Sequence, residues 1–153
     1  MTVDSKISDV AAYIAEKYPH KHELSKARLT KLVYLADWNH VEAHGRQITA
    51  IRWYFHNFGP YVDDVADAAK RDGRLKSIFT KNYFGDLKQQ FLYVGRGGEG
   101  ASLKKSEKAA IDSAISETQT MYWDAFIKYV YKTAPIRKSE RYTYLDLIQF
   151  RGL

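Results

Sequence analysis

Three features of the sequence predict a mainly helical, α+β fold: a compact helical domain around a central buried helix, with a small antiparallel β-sheet or hairpin. Residues 26–44 are apolar on nearly every face, as in a central buried helix. Residues 48–55, 75–81 and 87–94 are short and rich in β-branched or aromatic side chains, which is typical of strands. The length of 153 residues suits a single domain that spans residues 1–153.

The composition is that of a globular protein and limits its partners. No segment is long and apolar enough to cross a membrane, and the N-terminus lacks the apolar run of a signal peptide, so we expect a cytoplasmic protein without a membrane partner. Without cysteine, the sequence has no disulfide and no thiolate nucleophile. The net charge of +6 favours an acidic partner, which leaves RNA, DNA and acidic proteins open.

The first two helices have recognisable ends. Apolar side chains recur at helical spacing over residues 5–17, and Pro19 ends this helix. The central helix is predicted over residues 26–44. Ser25 is its predicted N-cap, and Gly45 stands where a left-handed residue ends a helix.

A short strand and a third helix are predicted next. Residues 48–55 form the strand or an extended segment, and the Asn-Phe-Gly-Pro turn breaks it. Pro60 is predicted near the first turn of the following helix. Asp63 and Asp64 would lie in the same turn, where carboxylates favour the positive end of the helix dipole.

A hairpin and a glycine-rich loop follow. Residues 75–81 and 87–94 are its predicted strands, joined by a loop at 82–86, and their edge offers a place for strand addition by a partner. Residues 95–100 fit the spacing G-x-G-x-x-G. Because no second parallel strand and no ribose-binding acidic residue follow, we expect a flexible loop here instead of a nucleotide site.

The last part of the chain is predicted to be helical and then irregular. Residues 105–132 have a helical apolar stripe, with a break near 118–120, and Pro135 closes this region. Basic and aromatic residues at 137–144 could contact RNA or an acidic partner. The alternative is an irregular segment before a short final helix from about Tyr144.

Several residues occur in the order and spacing of a known family. The sequence resembles the Panacea antitoxin domain, the group of SocA-like proteolytic adaptor antitoxins and phage-associated GepA-like proteins, most strongly over residues 29–65. Thr30 stands where the family often has Gln, and Tyr61 stands where a small aliphatic residue often follows Gly-Pro. The family positions present here are Lys31, Leu32, Tyr34, Ala36, Gly45, Thr49, Trp53, Gly59 and Pro60.

The resemblance implies a bacterial, prophage-associated antitoxin of a toxin–antitoxin system. Such a protein neutralises a cognate protein toxin encoded nearby by direct binding. Some members hand the toxin to a protease, so a cellular protease or chaperone is a further expected partner. Exposed aromatic residues with a charged rim usually dominate such an interface. The predicted toxin-binding residues are Trp53, Tyr54, Phe58, Tyr61, Asp63 and Asp64.

Two other functions are weighed against binding to a toxin. The basic charge allows a nucleic-acid-binding regulator, although no recognisable reader module is present. His40 and His44 are four residues apart, as in a metal-dependent hydrolase, and His56 is the candidate third ligand. The zincin motif needs Glu directly after the first His, and here it comes one residue later. We therefore expect His40 to be buried with a hydrogen-bond partner, and we expect no metal, no cofactor and no catalysis.

Overall fold

The computed structural model describes residues 3–153, with side chains from residue 5 onward, and its mixture of helices and small antiparallel sheets confirms the predicted α+β class. The helices are α1 (Val3–Lys17), α2 (Lys26–His44), α3 (Asp64–Arg71), α4 (Lys105–Thr118), α5 (Trp123–Tyr131) and α6 (Ala134–Arg137). The strands are β1 (Trp53–His56), β2 (Gly59–Tyr61), β3 (Leu75–Lys81), β4 (Leu87–Tyr93) and β5 (Tyr144–Leu145). Within residues 3–153, no helix combines the length and apolar character that a membrane span requires.

The central helix α2 begins and ends at the predicted residues. Ser25 Oγ accepts a hydrogen bond from the Arg28 backbone N–H at 3.1 Å, which caps the first turn. At the other end, Gly45 has a φ of 77° and donates its backbone N–H to the Val41 carbonyl at 2.8 Å. Helices α1, α3 and α4 pack around α2, and most residues of α2 are buried as predicted.

A three-stranded antiparallel sheet in the order β2-β1-β5 packs against α2. In β1, Trp53 and Phe55 are buried whereas Tyr54 and His56 face outward, because successive side chains of a strand point to opposite faces. Tyr54 lies opposite Tyr61 of β2 on one side and opposite Tyr144 of β5 on the other. The register therefore places tyrosines side by side across the outer face.

The β3–β4 hairpin has the predicted strands and loop. Near the body of the protein, Leu75 and Phe91 join the hydrophobic core. Towards the tip, Phe79 and Leu87 belong to the same face but are exposed, so the distal half of the hairpin projects beyond the core. An isolated bridge between Ser25 and Gln90 connects β4 to the residues before α2.

Two predicted elements after α2 have different limits in the structure. The strand begins at Trp53 instead of residue 48, because the Asp37 carboxylate of α2 accepts hydrogen bonds from the backbone N–H groups of Ile48 and Thr49. Pro60 lies in β2 instead of a helix, since residues 59–61 pair with β1. Proline is tolerated there because β2 is an edge strand.

The C-terminal segment also departs from the prediction. The helix predicted over 105–132 is interrupted between α4 and α5 near the expected position, and Pro135 lies at the start of α6. Tyr144 belongs to the short strand β5, because pairing with β1 satisfies its backbone in an extended conformation. The predicted short final helix is present as a 3-10 helix, but it begins at Leu147 and ends at Phe150.

The glycine-rich loop at 95–100 forms hydrogen bonds with α1 and with Arg74. The Glu16 carboxylate accepts hydrogen bonds from the backbone N–H groups of Gly98 at 2.9 Å and Glu99 at 3.3 Å. Arg74 donates to the Glu99 carboxylate at 3.0 Å. Consecutive backbone N–H groups of this kind form a nest for an anion, and here a protein carboxylate occupies it.

Candidate functional site

A buried carboxylate, Asp37, organises the chain between α2 and β1. Its Oδ1 accepts hydrogen bonds from the backbone N–H groups of Ile48 and Thr49, both at 3.0 Å. Its Oδ2 accepts from Thr49 Oγ1 at 2.6 Å and from Trp53 Nε1 at 2.9 Å. Burial raises the pKa of Asp37 to about 6, while these hydrogen bonds act in the opposite direction. The family residues Thr49 and Trp53 therefore fasten β1 to the central helix.

Lys31 and Gly59 form a second structural contact beneath the sheet. Gly59 has a φ of 104°, and a Cβ there would lie 3.3 Å from the Tyr131 ring and 3.8 Å from Lys31 Cε. Lys31 is buried, and this burial lowers the pKa of its amine to about 8. The close approach of these groups explains why the turn between β1 and β2 needs glycine.

The remaining apolar family residues lie in the core. Leu32 and Ala36 are fully buried on α2. The Tyr34 ring packs edge-on against Trp53, with ring centroids 5.5 Å apart, and the Tyr34 hydroxyl lies 2.8 Å from Thr133 Oγ1. These residues connect α2 to β1 and to the start of α6.

Trp53 is fully buried, which contradicts its prediction as a toxin contact. Its indole N–H is bound to Asp37 and its ring is covered by Tyr34. A partner could reach it only if β1 separated from α2. Trp53 therefore packs between β1 and α2 and is not part of the exposed face of the sheet.

The outer side of the three-stranded sheet is an aromatic surface, which we call the tyrosine face. It consists of Tyr61, Tyr54 and Tyr144 in one cross-strand row, with Arg52 and His56 beside them. The rings of Tyr54 and Tyr144 lie 5.0 Å apart in an edge arrangement. The Arg52 guanidinium lies 3.9 Å from the centre of the Tyr144 ring, a cation–π contact.

A shallow depression of about 410 Å³ lies on the tyrosine face and collects four of the six predicted binding residues, Tyr54, Tyr61, Asp63 and Asp64. The Tyr61 hydroxyl donates to Asp63 Oδ1 at 3.1 Å. Burial and this carboxylate raise the pKa of Tyr61 to about 12, so its hydroxyl stays protonated at neutral pH. Asp63 and Asp64 are exposed at the start of α3 and form the acidic rim of the depression.

Phe58 lies apart from this depression, at the tip of the turn between β1 and β2. Its side chain is 75% exposed. It lines a separate depression of about 370 Å³ together with Trp123, Tyr131 and Arg141. Arg141 holds this turn by donating from Nε to the Asn57 carbonyl at 3.2 Å.

Sequence reasoning missed Arg52, His56 and Tyr144 as members of the tyrosine face. Arg52 and His56 alternate with the buried residues Trp53 and Phe55, so correct limits for β1 would have indicated them. Tyr144 enters only through the pairing of β5 with β1, which connects positions far apart in the sequence.

The histidines considered as metal ligands have other contacts. His40 is buried, as predicted, and its Nδ1 donates to the Arg46 carbonyl at 2.6 Å. Its Nε2 lies 3.1 Å from Ser106 Oγ. His56 Nδ1 accepts a hydrogen bond from the Asn57 backbone N–H at 2.9 Å. In the part of the chain that the structure describes, no three His, Asp or Glu side chains are arranged to hold a metal ion.

Comparison with known families supports the resemblance seen in the sequence. Residues 29–135 match the family model described as the SocA-like antitoxin, Panacea domain, and the match covers more than two thirds of the chain. No curated protein and no solved structure shows significant similarity to the chain. The matched range includes β1, β2 and α3, and it ends before β5.

Proposed function

The chain belongs to the SocA-like Panacea antitoxin family, and we propose that it neutralises a cognate toxin, encoded nearby, by binding it directly in the cytoplasm. The tyrosine face is the proposed binding surface. The observation that carries this assignment is the convergence of Tyr54, Tyr61 and Tyr144 with the Asp63 and Asp64 carboxylates at one open depression.

The chemistry of the tyrosine face supports a protein partner. Tyrosine has a large apolar ring and a polar hydroxyl, and it is enriched among the residues that dominate binding energy. The sheet under these rings is fastened to α2 by Asp37, so the surface is preorganised and little conformational entropy is lost on binding. The acidic rim favours a toxin with a basic patch opposite Asp63 and Asp64.

Co-expression with the product of the adjacent gene tests the proposed function. We expect the adjacent gene to arrest growth alone and the wild-type chain to restore growth. A Tyr54→Ala/Tyr144→Ala double variant should lose this protection, because removing a central aromatic contact typically costs about 2 kcal/mol or more, roughly 30-fold in affinity. Isothermal titration calorimetry with the purified toxin would measure that loss directly.

Phe79→Ala provides the matched control, since Phe79 is also an exposed aromatic residue but lies on the hairpin. It should protect cells as well as the wild type does. If the adjacent gene product is harmless alone, or remains toxic beside the wild-type chain, the antitoxin proposal is wrong. If the double tyrosine variant protects fully, the antitoxin role stands but the tyrosine face is not the binding surface.

We further propose that the chain can deliver the bound toxin to a cellular protease or chaperone, as the family resemblance implies. The measurement is the half-life of the toxin after translation is stopped, with and without the chain. A shorter half-life in the presence of the wild-type chain supports delivery. An unchanged half-life together with restored growth indicates neutralisation by binding alone.

A further inference from the structure

A second concave surface, which we call the hairpin groove, lies between the tip of the β3–β4 hairpin, the start of α2 and the connection between α4 and α5. Its volume is about 570 Å³. Its lining includes Lys26, Arg28, Tyr83, Phe84, Lys88 and Trp123. Neither the family match nor the tyrosine face assigns a role to it.

Aromatic side chains around the hairpin groove are unusually exposed. Tyr83 is 96% exposed and Phe84 is 85% exposed at the tip of the hairpin. Tyr122, which lies across the groove, is 79% exposed, and Trp123 beside it is 41% exposed. Single exposed aromatic residues are common, but a cluster formed by distant chain segments around one depression indicates an interaction surface.

Strand β4 presents an unused backbone edge to the hairpin groove. Asn82 donates its backbone N–H to the Asp86 carbonyl, which fixes the hydrogen-bonding pattern of the hairpin. The backbone N–H and C=O groups of even-numbered residues therefore bond between β3 and β4, and those of odd-numbered residues in β4 point away from β3. Phe91 uses its outward N–H to bind the Leu24 carbonyl at 3.1 Å. In residues 3–153, the outward backbone groups of Leu87 and Gln89 have no such partner. An added extended segment would continue the pairing that Leu24 begins.

The charges of the hairpin groove select for an acidic occupant. Lys26, Arg28 and Lys88 line it, and Glu23 is the carboxylate among its lining residues. Arg28 is buried at the base of the groove, where it bonds to uncharged groups, the Tyr18 hydroxyl at 2.9 Å and the Met121 carbonyl at 3.1 Å. The cations that an occupant can reach are Lys26 and Lys88, which are partly exposed. The positive charge of the groove is therefore left for a ligand to neutralise.

We propose that the hairpin groove docks an extended, acidic segment of a partner protein. The segment adds a strand to β4 at Leu87 and Gln89, and it places one aromatic or long aliphatic side chain between Phe84 and Trp123. A protein segment is favoured over nucleic acid because an open strand edge provides alternating N–H and C=O groups that match another peptide backbone. This proposal does not rest on the function proposed for the tyrosine face.

Selection from a library of random 12-residue peptides displayed on phage, against the full chain, tests the proposal. We expect enriched sequences that are acidic and carry one aromatic or long aliphatic residue. A synthetic copy of an enriched peptide, labelled with fluorescein, should bind at least tenfold more weakly to Lys88→Glu and to Trp123→Ala. Amide hydrogen exchange should slow at Leu87 and Gln89 when the peptide is bound. Tyr144→Ser, on the tyrosine face, is the control and should bind the peptide as the wild type does.

Several outcomes would overturn this assignment. One is peptide binding that is equal in wild type, Lys88→Glu and Trp123→Ala. Another is tighter binding of a labelled 12-nucleotide single-stranded DNA to the same groove, with loss in Lys88→Glu and steep salt dependence. A third is a concentration-dependent dimer in sedimentation analysis that Phe84→Ser abolishes. If the wild-type chain binds the peptide but does not neutralise the product of the adjacent gene, only the function proposed for the tyrosine face is refuted.

Discussion

Replacing Asp37 tests whether one buried carboxylate holds the tyrosine face in place. Asp37→Ala removes the acceptor of two backbone N–H groups, the Thr49 hydroxyl and the Trp53 indole N–H. Each buried donor left without an acceptor costs roughly 1–3 kcal/mol. The loss is partly offset, because the raised pKa means that folding disfavours the charged carboxylate, even with its hydrogen bonds, by about 3 kcal/mol relative to its protonated form.

The net expectation is that Asp37→Ala lowers the free energy of unfolding by about 3–5 kcal/mol. Asp37→Asn is the matched control of equal size. Its Oδ1 can keep both backbone N–H groups, but its amide nitrogen faces the Trp53 indole N–H, so a loss of about 1–2 kcal/mol is expected. Urea unfolding followed by tryptophan fluorescence measures both values.

The pH dependence gives a second readout for Asp37. Because its pKa is about 6 in the folded protein and 3.8 in the unfolded chain, the folded state binds more protons between these values. The contribution of Asp37 therefore favours folding most at low pH and declines as the pH rises through this window. Asp37→Asn lacks this component. The reasoning is refuted if Asp37→Ala is as stable as wild type, or if the difference between wild type and Asp37→Asn does not change with pH over this range.

Three further predictions concern residues beneath and beside the sheet. Lys31→Met should raise the free energy of unfolding at pH 7 by up to roughly 3 kcal/mol, because the lowered pKa of Lys31 makes its charged amine unfavourable in the fold. The wild type should become more stable between pH 8 and 10.5, and the variant should lack this rise. Urea unfolding at several pH values measures both effects. Gly59→Ala should cost about 1–3 kcal/mol, since φ is 104° and the Tyr131 ring is close; an unchanged thermal midpoint would contradict it. Arg74→Met should lower the free energy of unfolding by about 1–3 kcal/mol at pH 7 and by less as the pH falls below 3.8, because Arg74 lowers the pKa of Asp72. Calorimetry of the wild type and the variant at pH 7 and at pH 3 measures this change.

The sequence was sufficient for elements whose ends are determined locally. Ser25 and Gly45 define α2 through contacts within a few residues, and the structure has the same limits. The hairpin strands and their loop were also predictable, because alternation and turn residues are local signals. These elements need little information from distant parts of the chain.

The remaining elements depend on contacts that no local pattern encodes. The residues before Trp53 are irregular because Asp37, on another element, takes their backbone N–H groups. Tyr144 is extended because β1 pairs with it across many intervening residues. Short segments of this kind follow tertiary contacts more than intrinsic propensity.

The candidate site was predicted in part for the same reason. Tyr54, Tyr61, Asp63 and Asp64 are close in sequence, so one short segment brings them together. Trp53 was placed wrongly because an aromatic side chain in a strand can lie on either face of the sheet. Its indole N–H bonds to Asp37 on α2, and this buried acceptor keeps the side chain on the inner face. A lone aspartate within the apolar central helix was the available signal.

The two faces of strand β1 have different roles: the inner face stabilises the fold, and the outer face is open to a partner. Its inward side chains, Trp53 and Phe55, are enclosed, and its outward ones, Tyr54 and His56, contact solvent and neighbouring rings. Substitutions at exposed positions usually change stability by less than about 0.5 kcal/mol. The outward residues can therefore be exchanged during evolution while the interior is kept, so that one inherited framework can acquire new targets by altering alternate positions of a single strand.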